Sequence, residues 1–236
     1  MRSPNGYAGW QRGETGHLQT TEAVLLDNDG VLVDTETLFF ETTRSAFLRL
    51  GLDLTPEIWG PQYLAEGKSS RQIALSLGAD PKGTDTVLEE RNRQYRRILQ
   101  QPPPVRPRVQ ETLAKLRGAV KLAIVTGCGR DLLELAHAAS GLLGFFDAII
   151  TSDDCSDTKP HPEPYLTAVR TLGVRAEHCI AVEDSPRGLA SARAAGIPCV
   201  VVPTDLTRML AFPGALAIEQ DLSGILRHVQ LGTVND

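Results

Sequence analysis

The stretch AVLLDNDGVLVDTE, residues 23–36, decides the fold. It opens on four apolar residues, and the run ends on an acid. A short uninterrupted apolar run reads as a strand buried on both faces. Asp27 closes the run and Asp29 follows two residues later, so an extended backbone carries both carboxylates to the same side. Two such charges repel each other unless a proton or a cation lies between them. Magnesium suits that place, because it takes one or two carboxylates together with waters and a phosphate. Gly30 permits a sharp exit and close backbone approach. A D-x-D pair alone also occurs in surface turns and in enzymes of nucleotide sugars. An EF-hand is excluded, because its glycine belongs at the sixth loop position and Gly30 is the fourth residue counted from Asp27.

Similar apolar runs recur at KLAIVT (121–126), DAIIT (147–151), CIAVED (179–184) and PCVVVP (198–203). VQETLAKLRG (109–118) and RDLLELAHAASG (130–141) repeat apolar residues every three or four positions, and each runs into a glycine. Strands alternating with helices predict an α/β, Rossmann-like parallel sheet with right-handed crossovers. Such sheets carry their sites at the carboxyl ends of the strands. Residues 35–105 break the rhythm. Helices are predicted there near 36–50, 56–64, 70–77 and 85–100, and no strand is. The stiff QQPPPVRP segment then leads back. The expected organisation is a flexible tail (1–20), a core made of 21–34 and 106–236, and an inserted helical module (35–105). Arg91, Arg93, Arg96 and Arg97 on the fourth helix could bind an anion, but read better as a solvated face.

The 236 residues, 42% apolar and 22% charged, describe an ordinary globular protein with a net charge of −5. An acidic chain is a poor general nucleic-acid binder, and one that binds an anionic substrate needs local positive charge. Four cysteines without C-x-x-C spacing argue for a reducing compartment rather than a disulfide framework. With no apolar run of spanning length and a polar first twenty residues, the expectation is a cytoplasmic protein. A monomer is expected, with a dimer as the alternative.

Other chemistry-bearing residues stand at strand ends. Thr126, followed by Gly127, offers a hydroxyl and free N–H groups suited to phosphoryl oxygens. Lys159 in DTKPHPEPY would stand beside a helix start signalled by Pro160 and Pro162. His161 is a loop residue with no assigned role. Glu183 and Asp184 close CIAVED, and Ser185-Pro186 opens a helix. Taken singly these signals are weak, but their order is specific. The four segments LLDNDGVLVDTE, IVTG, TKPHPEPY and VEDSPRG, with a helical insert after the first, make the chain resemble the haloacid dehalogenase superfamily with an α-helical cap.

The resemblance implies a magnesium-dependent phosphomonoester hydrolase acting on a small phosphorylated metabolite through an aspartyl-phosphate. Asp27 would be the nucleophile. Asp29 would be the acid and base, and would also reach the metal through its carbonyl. Thr126, Gly127 and Lys159 would hold the phosphoryl group, Asp184 would hold magnesium, and Glu183 would support it. Dehalogenases of the superfamily lack the second aspartate, so Asp29 favours phosphorus chemistry. Asn28 replaces a residue that is more often apolar, and alternation points it away from the metal, so little effect is expected. Gly67, Lys68 and Arg71, in AEGKSSRQ (65–72), match the superfamily's substrate-specificity loop. Arg71 read by itself equally begins a helix facing solvent. The related sugar phosphomutases carry a histidine where this chain has Phe39, which favours water as acceptor. A mutase, or a non-catalytic regulator on the same scaffold, is the alternative.

Overall fold

A computed structural model describes residues 20–231. The predicted tail, apart from Thr20, lies outside the described residues. The five apolar runs form β1 (Ala23–Leu26), β2 (Lys121–Val125), β3 (Ala148–Ile150), β4 (Cys179–Glu183) and β5 (Cys199–Val201). A sixth strand, β6 (Ala217–Ile218), is a two-residue edge at the end of the apolar run ALAI (215–218), which the sequence reading passed over. The sheet order is β3-β2-β1-β4-β5-β6 and every pairing is parallel. The chain builds outward from β1 to β3, then returns to lay β4, β5 and β6 on the other side. The order therefore reverses between β1 and β4, which is where such sheets form a crevice.

β1 is fully buried, and its side chains alternate between two cores. Val24 and Leu26 pack with α5 (Val109–Leu116) and α6 (Arg130–His137). Ala23 and Leu25 pack with α7 (Glu163–Leu172) and α8 (Pro186–Ala194). Continued past the strand, this alternation assigns Asp27 to the α7/α8 face and Asn28 to the α6 face.

Between β1 and α5 lie α1 (Thr35–Arg49), α2 (Pro56–Trp59) continuing as a π-helical stretch (Gly60–Ala65), α3 (Ser70–Ser76) and α4 (Pro81–Ile98). α4 starts four residues before its predicted position. Pro81 occupies the first turn, and the Asp80 carboxylate accepts from the Gly83 N–H at 2.7 Å, so the cap rather than the charge pattern marks the beginning. The module has its own apolar cluster around Phe47, Trp59 and Ile73. Its two connections to the sheet pair with each other: Asp34 N–H donates to Pro104 O (2.9 Å) and Arg106 N–H to Leu32 O (3.0 Å). The loop after β5 makes a third attachment. Leu206 is buried in the module's cluster, so near to Gly60 that a Cβ there would lie 3.1 Å from the Leu206 carbonyl.

The solvated reading of the α4 arginines fits Arg93, Arg96 and Arg97, which are exposed, but not Arg91. Arg91 shares a buried stripe with Leu88 and Tyr95, at helical spacing. Its guanidinium lies 4.3 Å from the centre of the Phe39 ring and donates to Thr43 Oγ1 (2.5 Å) and Ser70 Oγ (3.3 Å). Arg96 pairs instead with Asp131 of α6, across the junction between module and core.

Candidate active site

Asp27 is held at the carboxyl end of β1 by its N–H, which donates to Val182 O of β4 at 2.9 Å. The chain then closes a tight turn, with the Asn28 carbonyl accepting from the N–H groups of Val31, Leu32 and Val33. Gly30 has φ +85°, and a Cβ there would fall 2.3 Å from Asp184 Oδ2. Only glycine meets both demands.

Lys159 crosses from the segment before α7 to the end of the sheet. Its Nζ donates to Asp27 Oδ1 (2.8 Å), Glu183 Oε1 (2.5 Å) and Val125 O (2.7 Å), which commits all three ammonium protons. Glu183 is wholly buried. Its Oε1 also accepts from the Tyr165 hydroxyl (2.7 Å), and its Oε2 accepts from Ser185 Oγ (3.4 Å). The carboxylate lies so close over the Gly188 backbone that a Cβ there would sit 1.8 Å from Oε2. Burial works against the Lys159 charge, but Asp27 and Glu183 more than offset it and hold the ammonium above its ordinary range.

Carboxylate oxygens of Asp27, Glu183 and Asp184 lie within 4.8 Å of one another. That is three buried acids around one ammonium. Burial, with Asp27 and Glu183 adding, pushes Asp184 well above the carboxylate range, and its buried Oδ2 has no hydrogen-bond partner among the described residues. Burial also pushes Asp27 up to about 8, against the opposing Lys159. Glu183 is engaged by Lys159, Tyr165 and Ser185, so Asp27 and Asp184 are the oxygen donors left for a ligand. A small hard divalent cation fits that donor set, and its charge would bring both carboxyls back down.

Asp29 faces three donors. Thr35 Oγ1 (2.5 Å) and Asn28 Nδ2 (3.2 Å) reach Oδ1, and Thr126 Oγ1 (3.0 Å) reaches Oδ2. The Thr126 hydroxyl in turn accepts from the Cys128 N–H at 3.1 Å. Above these groups lies a cavity of about 300 Å³. Asp27, Asp29, Gly127, Lys159 and Asp184 line its core side. Glu36, Phe39, Tyr63 and Tyr95 of the helical module line the other, with Arg187 of α8 at the seam. Glu36 accepts from Trp59 Nε1 (3.2 Å), while burial and the nearby Asp29 push its carboxyl up to about 7.

Residues 24–202 match the family of haloacid dehalogenase-like hydrolases. This chain belongs to that family. The haloacid dehalogenase-like relatives include protein CbbY of Cupriavidus necator, 34% identical over 215 residues and 84% of each chain. They also include the phosphorylated carbohydrates phosphatase of Thermotoga maritima, 34% identical over 187 residues, which are 75% of this chain and 82% of that one. The crystal structure of CbbY from Rhodobacter sphaeroides in complex with xylulose-1,5-bisphosphate superposes with a TM-score of 0.72 at 25% identity, covering 90% of this chain and 100% of that one.

Within this haloacid dehalogenase-like frame, Asp27, Asp29, Gly127, Lys159 and Asp184 meet on one cavity, with Thr126 and Glu183 bonded to residues that line it. The loop at 65–72 lies elsewhere. Lys68 pairs with Glu66 (2.9 Å), and Arg71 pairs with Asp85 (2.6 Å) on the exposed surface. Neither lines the cavity. Gly67 does give close approach, but to the Arg187 stem, whose Cδ would lie 3.3 Å from a Cβ there. Sequence reasoning passed over Glu36, Tyr63, Tyr95 and Arg187. Glu36 and Arg187 stand inside two of the signature segments, and that position is the signal they offered. Asn28 also departs from expectation. Alternation carries it to the α6 face, yet its amide returns to Asp29.

Proposed function

We propose that this protein is a magnesium-dependent phosphomonoesterase, and that residues 35–105 serve as its cap over a core of 21–34 and 106–236. Its substrate would be a small phosphorylated metabolite, a sugar phosphate or similar. The observation that carries this reading is Lys159 tying Asp27 to Glu183 beside the orphaned oxygen of Asp184. Asp27 and Asp184, with the Asp29 carbonyl, would hold the metal, and Glu183 would support it through Lys159. Bound there, the ion supplies positive charge to the phosphoryl oxygens and to the two carboxylates.

Asp27 attacks phosphorus. The bond from phosphorus to the ester oxygen breaks as the aspartyl-phosphate forms, and Asp29 gives its proton to the departing oxygen. Water then attacks the same phosphorus and passes a proton to Asp29, which frees Asp27 and inorganic phosphate. Thr126 and Lys159 exchange their bonds to Asp29 and Asp27 for bonds to the phosphoryl oxygens, beside Gly127, and positioning with charge stabilisation carries most of the rate in such transfers. The module excludes water while the alcohol departs.

Water rather than a sugar is the acceptor. Phe39 can neither carry a proton nor hydrogen-bond to Asp29, and its ring is packed by Trp59, Tyr63 and Tyr95. The test is turnover of para-nitrophenyl phosphate with magnesium, stopped by EDTA and by Asp27→Asn. A folded Asp27→Asn protein with activity near the starting level refutes the mechanism. Phosphorus NMR with a panel of hexose phosphates and a trace of bisphosphate primer separates the phosphatase from a mutase. An isomeric sugar phosphate accumulating faster than free phosphate would overturn the choice of water.

A further inference from the structure

A line of buried polar groups runs from Asp29 to the end of α6, on the face of the sheet away from Lys159. His137, the last residue of α6, is 4% exposed, and Asn28 is 1% exposed. His137 Nε2 lies 2.7 Å from Asn28 Oδ1, and Nδ1 lies 2.8 Å from Ser140 Oγ. The Leu142 N–H reaches Ser140 Oγ at 3.1 Å.

The proton positions along this line follow from its end. The Asp29 carboxylate accepts, so the Asn28 amide turns its NH₂ to Asp29 and its oxygen to His137. That oxygen accepts, so Nε2 carries the ring proton. Nδ1 is then a lone pair, and the Ser140 hydroxyl donates to it at 2.8 Å in preference to the His137 carbonyl, which it also approaches at 3.3 Å. Every donor points towards Asp29: Leu142 N–H to Ser140, Ser140 O–H to His137, His137 Nε2–H to Asn28, Asn28 Nδ2–H to Asp29. Burial holds the His137 ring below its ordinary pKa, with the more distant Asp29 opposing, consistent with the neutral ring this order needs. Hydrogen bonds aligned head to tail polarise one another.

We propose that Asn28 and His137 are positioning residues for Asp29. The relay fixes the carboxylate with Oδ1 turned into the protein, against Asn28 and Thr35. Oδ2, which among the described residues has Thr126 alone as a partner before a phosphoryl group takes that hydroxyl, is the oxygen that exchanges a proton with the leaving group. This rests on the acid–base role given to Asp29 above. A carboxylate lacking the Asn28 bond keeps only its two threonine partners and rotates about its terminal torsion, which is broad in an unrestrained side chain. Small misplacements of a proton donor are costly in rate.

The experiment compares wild type, His137→Phe and His137→Gln on two esters. A sugar phosphate has a poor leaving group that needs a proton, whereas para-nitrophenyl phosphate has a good one that needs little. The value of kcat/KM reports events up to departure of the alcohol. The ratio of kcat/KM, sugar ester over nitrophenyl ester, should fall about tenfold in His137→Phe, a fraction of the full effect of a general acid. It should recover at least partly in His137→Gln, whose amide can donate to Asn28. A ratio within twofold of wild type, whether or not both activities decline together, overturns the proposal, since a purely structural loss lowers both alike. If His137→Phe does not fold, Ser140→Ala carries the same comparison, because it removes the donor that holds the tautomer. Nitrogen-15 NMR of the His137 ring reads the relay without any turnover. An Nδ1–H tautomer refutes the proposed order. A wild type that hydrolyses neither ester refutes the enzymatic reading instead and leaves the tautomer result standing.

Discussion

Tyr165→Phe deletes one oxygen from a fully buried ring and leaves its shape unchanged. The lost hydroxyl donates to Glu183 Oε1 at 2.7 Å, and Glu183 has no exposed surface. No water can replace that donor without opening the core. A hydrogen bond to a buried charge is worth about 1.5–3 kcal/mol, so the variant should lose about 2 kcal/mol of stability. In a chain of this length each kcal/mol moves the midpoint by about 2–4 °C, so Tm should fall by about 4–8 °C. Glu183 also orients Lys159, and Lys159 holds Asp27, so kcat should fall while far-ultraviolet dichroism stays unchanged. Scanning calorimetry measures the first effect, and turnover of a nitrophenyl ester with magnesium measures the second. A Tm within 1 °C of wild type would show that Glu183 does not depend on Tyr165, and would refute the argument that this acid is braced from behind.

Glu36→Gln should change the pH dependence of stability. Its carboxyl rises from 4.5 in the free residue to about 7 in the fold, so the folded chain holds a proton that the unfolded chain releases between those values. Wild-type stability should therefore decline as pH rises from about 4.5 to 7, and denaturant titrations should show a shallower decline in the variant. Arg187→Ala should alter the ranking of substrates more than Lys68→Ala or Arg71→Ala, because it lines the cavity and they do not. Equal shifts from all three in a substrate screen would contradict that placement. Gly188→Ala should abolish activity, since a methyl group there would displace Glu183. A crystal structure of an active Gly188→Ala protein with Glu183 unmoved would disprove it.

The five longer strands were legible because each is a fully or nearly fully buried apolar run in a parallel sheet. β6 was passed over although ALAI (215–218) is an apolar run; it pairs through two residues only, at an edge where Leu216 and Ile218 stay exposed. The signature segments gave the groups that meet at the switch point. They could not give the cavity wall, which depends on how α1, the π-helical stretch and α4 turn Glu36, Tyr63 and Tyr95 towards the core. Arg91 shows the same limit in reverse. An arginine in a charged helix looks solvated until the stripe of Leu88 and Tyr95 is seen to include it. Asn28 was placed on the correct face by alternation, yet a side chain with both a donor and an acceptor reached back to Asp29, and no period encodes that.

The attachment through Leu206 alters what kind of part the helical module is. Inserted by two paired connections, it would be a cassette, exchangeable between relatives by cutting near residues 34 and 105. A side chain from beyond β5, sealed inside its apolar cluster, makes the boundary discontinuous in sequence. A chimera that exchanges only 35–105 would press a foreign surface against Leu206 and leave a void or a clash beside Gly60. One that also carries 203–210 keeps Leu206 with its own cluster. The same seam would restrain opening. Any swing about the two connections must either withdraw Leu206 from the module or carry the post-β5 loop along, so such a swing would be geared to a loop that holds none of the groups proposed for the chemistry.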